Sequence, residues 1–335
     1  MTSGRTATSD RVLLADIGGT NARFALMERG EIGPIEHLKV ADHSGVIDAI
    51  AAFQARHAAG GPALAGVLGV AGTVQDSRCT ITNSRWTIDG GELKKIFGFA
   101  TVHLLNDFEA LAWSLPALRS SDLFPVGKQR PASGAPMLVM GPGTGFGAAC
   151  LFRHDAAPFA AVTEAGHATM AATSEREDQV IGQLRRRFGH VSVERVLSGS
   201  GLENLYRALA AVDAVAAPER DAAAITEAAL GGCSVSRAAL DMFCSLLGAV
   251  AGDLALTFCA LGGVYIAGGI VPRFAERLAA SDFRTQFENK GRYQSYLRNI
   301  PTSIIVKPDA SFAGLKAFFE RNTVVTGISE ADRYR

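Results

Sequence analysis

The chain carries no excess charge of either sign. Lys and Arg together number 33, as do Asp and Glu, so the formal net charge is zero. Nucleic acids and anionic membrane surfaces attract cationic proteins, so this balance argues against both as partners. Cysteine is scarce: the five residues form no Cys-x-x-Cys pair, and their scatter within apolar segments predicts reduced, buried thiols in a cytoplasmic protein.

Segments directed to a membrane are missing as well. Residues 1–10 are polar and lack the apolar core of a signal peptide. The longest mostly apolar stretch, around Leu246–Val271, is interrupted by Asp253 and several glycines, which favours a buried helix and strand over a membrane span. With 335 residues, 48% of them hydrophobic, the chain is long enough for two soluble domains of roughly 150 residues each.

Two widespread nucleotide-binding motifs are absent too. No Gly-x-Gly-x-x-Gly links a strand to a helix and no Gly-x-x-x-x-Gly-Lys-Ser/Thr occurs, which excludes the Rossmann and P-loop classes. The chain instead contains two copies of one plan, an apolar strand followed by a glycine-rich turn and a second strand. The copies span residues 11–27 and 137–151, and their turns contain Gly18, Gly19, Thr20 and Asn21 in the first and Gly141, Gly143, Thr144, Gly145 and Gly147 in the second.

Such turns favour a ligand that carries phosphate. Without a Cβ, the main-chain N–H groups of a glycine turn can approach an anion closely, and two turns facing one ligand could hold a nucleotide. Asp16 ends the strand before the first turn, where a carboxylate can hold Mg²⁺ directly or through water. The alternative is that both segments are ordinary or bulged β-hairpins.

A pair of polar residues, Asn106 and Asp107, follows the predicted strand Val102–Leu105 and precedes a helix predicted from about residue 108 to 118. A carboxylate here could accept a proton from a substrate hydroxyl. The alternative is that Asn106 or Asp107 only caps the helix, since both residue types are favoured N-caps.

Three further segments could contact a small polar ligand. Glu164 and His167 flank a glycine turn, and Glu194 follows later; carboxylates and imidazole form hydrogen bonds with sugar hydroxyls. Gly268 and Gly269 end the strand predicted over Val264–Ala267, where a flat base could lie on the backbone. The alternatives are a structural histidine, a surface acid and a plain strand-to-helix turn.

The periodicity of apolar residues predicts a mixed α/β chain. We expect strands at 12–27, 30–40, 64–70, 102–105, 264–267 and 304–306, and helices at 44–59, 91–98, 108–118, 175–189, 201–211, 235–260 and 311–321. Residues 119–136 contain three prolines and predict a boundary region, residues 212–224 a loop, and residues 273–288 a partly helical segment.

Together these segments resemble the bacterial glucokinase family, within the actin–hexokinase–Hsp70 ATPase superfamily. The matching segments run in family order from about residue 12 to 320: LLADIGGTNARFAL, LLNDFEALAWSLPAL, VMGPGTGFGAA, EAGH, HVSVERVLSGSGLENLYRAL and YIAGGIVPRF. The resemblance implies an α/β, two-lobed ribonuclease H-like fold of the actin/hexokinase type, with mixed sheets flanked by helices and a central cleft. The small lobe would comprise residues 1–117 and 308–335, and the large lobe residues 118–307.

The resemblance also implies roles for particular residues. The sugar ligands of the family fall on Asn106, Asp107, Glu164, His167 and Glu194, with Asp107 as the catalytic base. ATP would contact Gly18, Gly19, Thr20 and Asn21 in the first phosphate loop, Gly141, Gly143 and Thr144 in the second, and Gly268 and Gly269 near adenosine. Asp16 would help to organise the Mg²⁺ carried with ATP, through water.

A neighbouring family, the ROK-type sugar kinases, shares the Asp-x-Gly-Gly-Thr, Asn-Asp and Glu-x-Gly-His motifs but usually adds a cysteine-rich zinc motif after the histidine. Residues 168–190 contain no cysteine, and Glu194 and the segment Ser198–Gly201 favour the zinc-free glucokinase family. The chain departs from the commonest family pattern at Ser200, where proline is frequent.

The expected function is therefore the ATP-dependent phosphorylation of D-glucose at its 6-hydroxyl, the first step of glycolysis, by a cytoplasmic enzyme that forms a homodimer. Two alternatives stay open. Pocket shape sets sugar preference, so another hexose or an N-acyl amino sugar could be the substrate. A non-catalytic sugar sensor could also share this fold, although the presence of Asp107 argues against it.

Overall fold

The computed structural model describes residues 11–326, apart from Asn83 and residues 154–157, and for residues 323–326 it describes the backbone alone. The described chain forms two compact units. The first unit contains the chain up to Ala117 and again from Asp309, and the second unit is the intervening segment Leu118–Pro308.

The strands are, in chain order, β1 (Val12–Ile17), β2 (Asn21–Glu28), β3 (Glu31–Ile32), β4 (Glu36–Lys39), β5 (Ala65–Val70), β6 (Arg78–Thr80), β7 (Thr87–Asp89), β8 (Thr101–Asn106), β9 (Leu123–Pro125), β10 (Met137–Pro142), β11 (Phe146–Phe152), β12 (Phe159–Thr163), β13 (Val264–Ile266) and β14 (Thr302–Ile305). The α-helices are α1 (Val46–Arg56), α2 (Gly90–Phe97), α3 (Asp107–Ser114), α4 (Glu175–Phe188), α5 (Gly199–Val212), α6 (Ala222–Leu230), α7 (Ser234–Thr257), α8 (Ala275–Ala279), α9 (Phe283–Glu288), α10 (Gln294–Arg298) and α11 (Ser311–Thr326).

The first unit is built on a six-stranded mixed sheet with the order β3-β2-β1-β5-β8, in which β4 also pairs with β2. Phe24 of β2 stacks on Phe53 of α1 in the buried core. Helices α3 and α11 pack on the sheet beside Gly69, where a Cβ would lie 3.3 Å from the Ala110 Cβ and 3.6 Å from the Leu315 Cδ2. The small residue at position 69 therefore lets both helices approach the sheet closely.

The second unit contains a six-stranded sheet with the order β12-β11-β10-β13-β14-β9. Helix α7 packs against α5, α6 and α9 in its core. Among the described residues, α7 is the one helix long and apolar enough to cross a membrane, but 72% of its apolar window is buried within the protein. This burial is that of a core helix.

The two units share one local topology, in agreement with the repeat seen in the sequence. In the first, the antiparallel hairpin β1–β2 has β5 as a parallel neighbour of β1, and β8 follows in parallel. In the second, the hairpin β10–β11 has β13 as a parallel neighbour of β10, and β14 follows in parallel. Each glycine-rich turn therefore leaves the carboxyl edge of a parallel set of strands.

Several local expectations were wrong. The single strand expected at residues 30–40 is two short strands, β3 and β4, because Pro34 cannot donate to a strand ladder. The expected loop at 212–224 ends early, since Asp221 caps α6 through the Ala224 N–H at 2.8 Å. Two of the thiols expected to be buried are not: Cys233 is half-buried just before α7, and Cys259 is exposed, because it follows the end of α7 in a turn with a φ of 50°.

Candidate active site

Asn106 ends β8 and caps α3. Its Oδ1 accepts hydrogen bonds from the backbone N–H groups of Phe108 at 2.9 Å and Glu109 at 3.4 Å, and its Nδ2 donates to the Gly72 carbonyl at 3.2 Å. Asp107 is the first residue of α3, and its Oδ1 also accepts from the Phe108 N–H, at 2.9 Å. Asn106, not Asp107, is therefore the N-cap of α3, and the first turn of the helix fixes the position of the Asp107 carboxylate.

Glu109 also lies in the first turn of α3, and no role was predicted for it from the sequence. Its carboxyl group is largely buried, which raises its pKa, while the hydrogen bond it accepts from the Asn106 backbone N–H acts in the opposite direction. Positions 106 and 109 have the Ncap–N3 spacing of a capping box. The Asn-x-x-Glu spacing was the signal that could have revealed it.

The first glycine turn and Asp107 leave the same sheet edge. Ile17, Val70 and Asn106 are register partners on the adjacent parallel strands β1, β5 and β8. Neighbouring strands lie about 4.8 Å apart, so the turn after Ile17 begins about 10 Å from Asn106. The fold thus assembles the predicted phosphate and sugar residues of this unit at one edge.

The Asp16 side chain is held by the protein itself. Its Oδ2 accepts from the Arg23 guanidinium at 3.1 Å and from the Ser311 hydroxyl at 2.7 Å. Arg23 also pairs with Asp309 at 3.1 Å, so two carboxylates share one guanidinium beside the first turn. The sequence does not reveal these contacts, because Ser311 lies far from Asp16 along the chain.

In the second unit, close backbone contacts shape the second glycine loop. A Cβ at Gly141 would lie 2.0 Å from the Ala267 carbonyl oxygen, and one at Gly268, where φ is 93°, would lie 2.1 Å from the Pro142 carbonyl oxygen. These two glycines are thus required where β10 and β13 end. Thr144 is exposed in the loop between β10 and β11, and Gly268 and Gly269 are exposed after β13.

The loop with Glu164 and His167 lies beside the second glycine loop. The Gly166 carbonyl accepts from the Glu194 backbone N–H at 2.8 Å, and the Glu194 Oε2 accepts from the Phe146 N–H at 3.0 Å. Glu164 and His167 themselves are exposed. The structure thus brings Glu194 to this loop, and the role of the three side chains as sugar ligands stays a prediction.

No cluster of three or more His, Cys, Asp or Glu side chains arranged to hold a metal ion occurs in the part of the chain that the structure describes. Asp16 has the oxygen donors that suit Mg²⁺, but its Oδ2 is engaged by Arg23 and Ser311. Contact through water from the same carboxylate therefore fits better than direct coordination by Oδ2.

The arrangement of strands and turns is that of a sugar kinase. The crystal structure of a glucokinase from an Antarctic psychrotroph superposes with a TM-score of 0.85 at 35% sequence identity, covering 94% of this chain and 100% of that chain. The predicted α/β fold of the actin/hexokinase type, with mixed sheets flanked by helices, is confirmed.

Comparison with known sequences identifies which family of sugar kinases the chain resembles in sequence pattern. A family model described as Glucokinase matches residues 13–322. The chain is 46% identical over 311 residues to a glucokinase of Paramagnetospirillum magneticum, covering 92% of this chain and 97% of that relative. It is 40% identical over 313 residues to a glucokinase of Nitrobacter hamburgensis, covering 93% and 98% respectively. The chain belongs to the glucokinase family, as its motifs predict.

Proposed function

We propose that the protein transfers the γ-phosphoryl group of ATP to the 6-hydroxyl of D-glucose and forms glucose 6-phosphate. Membership of the glucokinase family implies ATP as the donor and supports glucose as the acceptor. The structural observation that carries the proposal is the Asp107 carboxylate, fixed at the start of α3 on the sheet edge that also bears the first glycine turn.

Asp107 is the proposed general base. Its carboxylate accepts the proton of the 6-hydroxyl as that oxygen attacks the γ-phosphorus. The helix N-terminus stabilises negative charge at this position. Asn106, Glu164, His167 and Glu194 are the further proposed sugar ligands; all carry groups that exchange hydrogen bonds with hydroxyls.

The proposed nucleotide contacts come from main-chain N–H groups of the two glycine turns. The proposed phosphate contacts are Gly18, Gly19, Thr20 and Asn21 in the first unit and Gly141, Gly143 and Thr144 in the second; Gly268 and Gly269, after β13, are the proposed contacts near adenosine. Gly141 is buried and the Gly143 N–H donates to the Gly145 carbonyl at 2.7 Å, so of the second loop the exposed Thr144 is the better placed to reach a phosphate. Because phosphoryl transfer is catalysed chiefly by positioning and charge stabilisation, these donors supply much of the required chemistry.

Mg²⁺ is proposed to enter with ATP as part of the substrate, where it neutralises phosphate charge. Asp16 would hold it through water, and its ion pair with Arg23 would keep the carboxylate in place.

Two finer proposals follow from the family resemblance, a cytoplasmic location and a homodimeric state. Burial of the apolar helix α7 within the second unit is in keeping with a soluble protein. Light scattering on the purified protein measures the mass in solution, and a monomer across the working concentration range would rule out the dimer.

Asp107→Asn tests the proposed base. The substitution keeps the side-chain shape and leaves the Asn106 cap intact, so the melting temperature should hold while kcat falls by about 10²–10⁴. The measurement is kcat at saturating glucose and ATP, with a melting curve on the same sample. Asp178→Asn, in the first turn of α4, is the matched control and should leave kcat unchanged.

Turnover by a folded Asp107→Asn enzyme above about a tenth of the wild-type rate would place the base elsewhere. A coupled assay of the wild-type protein with glucose, mannose, fructose and N-acetylglucosamine decides the substrate. A higher kcat/KM for one of the other sugars would replace glucose in the proposal.

A further inference from the structure

Three segments of the second unit meet at the backbone of Phe146, the residue that ends the second glycine loop. Its N–H donates to the Glu194 Oε2 at 3.0 Å. Its carbonyl oxygen lies against Gly166, where a Cβ would be 2.3 Å away. The Gly166 carbonyl in turn accepts from the Glu194 N–H at 2.8 Å. Phe146, Gly166 and Glu194 therefore fix one another's positions.

Gly145 lets the Glu194 carboxylate reach the glycine loop. A Cβ at position 145 would lie 2.4 Å from the Glu194 Oε2 and 3.2 Å from its Cδ. The Gly145 carbonyl accepts from the Gly143 N–H at 2.7 Å, and the Gly143 carbonyl accepts from the Gly199 N–H at 3.0 Å. A displacement of the Glu194 carboxylate would therefore shift Phe146 and, two positions earlier in the loop, the exposed Thr144.

The same carboxylate has a second oxygen. While Oε2 holds the loop, Oε1 could accept a hydrogen bond from a sugar hydroxyl in the proposed site, because a carboxylate accepts several hydrogen bonds. One side chain would then touch both the sugar and the loop that receives phosphate. If one ligand binds more tightly when Glu194 is held in this arrangement, its binding changes the affinity of the other ligand. The factor is the same in both directions.

We infer that Glu194 couples glucose binding to nucleotide binding, and that Gly145 and Gly166 are positioning residues for this coupling. The inference rests on the proposed function, since it takes glucose and ATP as the two ligands.

Gly145→Ala tests the coupling without removing any proposed ligand. The φ of Gly145 is not positive, so alanine brings no backbone strain. Its Cβ meets the far end of a flexible side chain, so the fold should survive while the Glu194 carboxylate moves off the Phe146 N–H. The matched control is Gly182→Ala on α4, where a Cβ would meet nothing within 4 Å.

Two measurements follow on wild type and both variants. Amide hydrogen exchange without ligand should be about tenfold faster at Phe146 in Gly145→Ala alone, because a hydrogen bond to a charged group is lost. Calorimetry should show the glucose Kd raised about tenfold in this variant. The ratio of glucose Kd values without and with a non-hydrolysable ATP analogue should depart from one in wild type and approach one in Gly145→Ala. Melting temperatures should match.

Unchanged exchange at Phe146 in Gly145→Ala would overturn the inference whatever the substrate is. A wild-type protein that phosphorylates glucose but has a coupling ratio of one, or a variant that keeps the wild-type ratio, would overturn the inference alone. A wild-type protein that neither binds nor phosphorylates glucose would overturn the proposed function, and the inference with it.

Discussion

At the scale of single residues, side chains proposed to contact substrate also form hydrogen bonds within the protein. Asn106 caps α3 and binds Gly72, Glu194 holds Phe146, and Asp16 binds Arg23 and Ser311. Removing any of them by alanine substitution would alter the fold locally as well as the chemistry. Conservative variants and melting curves are therefore needed to separate the two effects.

Cys233, away from the proposed site, should react as a thiolate near neutral pH. Hydrogen bonds from Ser236 at the start of α7, reinforced by the Arg220 guanidinium 3.7 Å from the sulfur, lower the pKa of its thiol to about 7. The thiolate is the nucleophile, so labelling by iodoacetamide should slow about tenfold from pH 8 to pH 6. Mass spectrometry of the labelled peptides measures the midpoint.

Arg220→Met is the control for that experiment and should move the labelling midpoint to higher pH. Cys150 and Cys244 should resist labelling, because burial raises the pKa of each thiol to about 12. A Cys233 labelling midpoint at about pH 8.5, the ordinary thiol pKa, would contradict the assignment.

At the scale of secondary-structure elements, α11 supports the helix that begins with Asp107. Gly314 of α11 touches the backbone of α3: a Cβ there would lie 1.7 Å from the Ala110 carbonyl oxygen and 2.8 Å from the Ser114 nitrogen. Rigid backbone atoms on both sides leave an added methyl group no flexible neighbour to displace. The separation of the two helices is therefore set by this glycine.

Gly314→Ala should destabilise the protein by about 1–3 kcal/mol or more, the usual cost of overpacking, and lower kcat because α3 carries the proposed base. Denaturant unfolding and steady-state kinetics on one preparation measure both effects. Gly182→Ala should be neutral or slightly stabilising, since alanine is the better helix former. Equal stabilities of the two variants would show that α3 and α11 can separate at no cost.

Elements with a strong apolar pattern could be predicted from the sequence, whereas short, partly exposed ones could not. The helix expected at 235–260 is α7, Ser234–Thr257, and the one expected at 311–321 is α11, Ser311–Thr326. The edge strands β9 and β12 were missed because they are short and only partly buried, whereas the equally short β13 is fully buried and was predicted from its apolar run.

The candidate site likewise has parts that could be predicted from the sequence and parts that could not. The glycine turns, Asn106–Asp107 and Glu164–His167 could be proposed because each is a local motif. The packing of Gly145 and Gly166 around Phe146 could not, since it depends on distances between segments that lie apart in the chain.

At the scale of the whole molecule, the second unit is one continuous segment with its own sheet and core, while the first is completed by a returning segment. Residues 118–308 expressed alone should therefore fold and melt cooperatively. Residues 1–117 alone should not, because α11 covers part of β1, β5 and α3. Circular dichroism melting curves of both fragments measure this, and a cooperative transition in fragment 1–117 would show that α11 is dispensable.

The same connectivity sets an order of events during protein synthesis. The ribosome delivers β1, β5 and α3 early, but the helix that packs on them is translated only after the entire second unit. The early strands must therefore wait, with apolar surface uncovered, while the second unit is being made and can already fold. A ribosome that stops near residue 308 would release a well-folded second unit attached to an incomplete first one, with α3 lacking its support. Chaperones and proteases should act on the incomplete first unit of such a chain and not on its folded second unit.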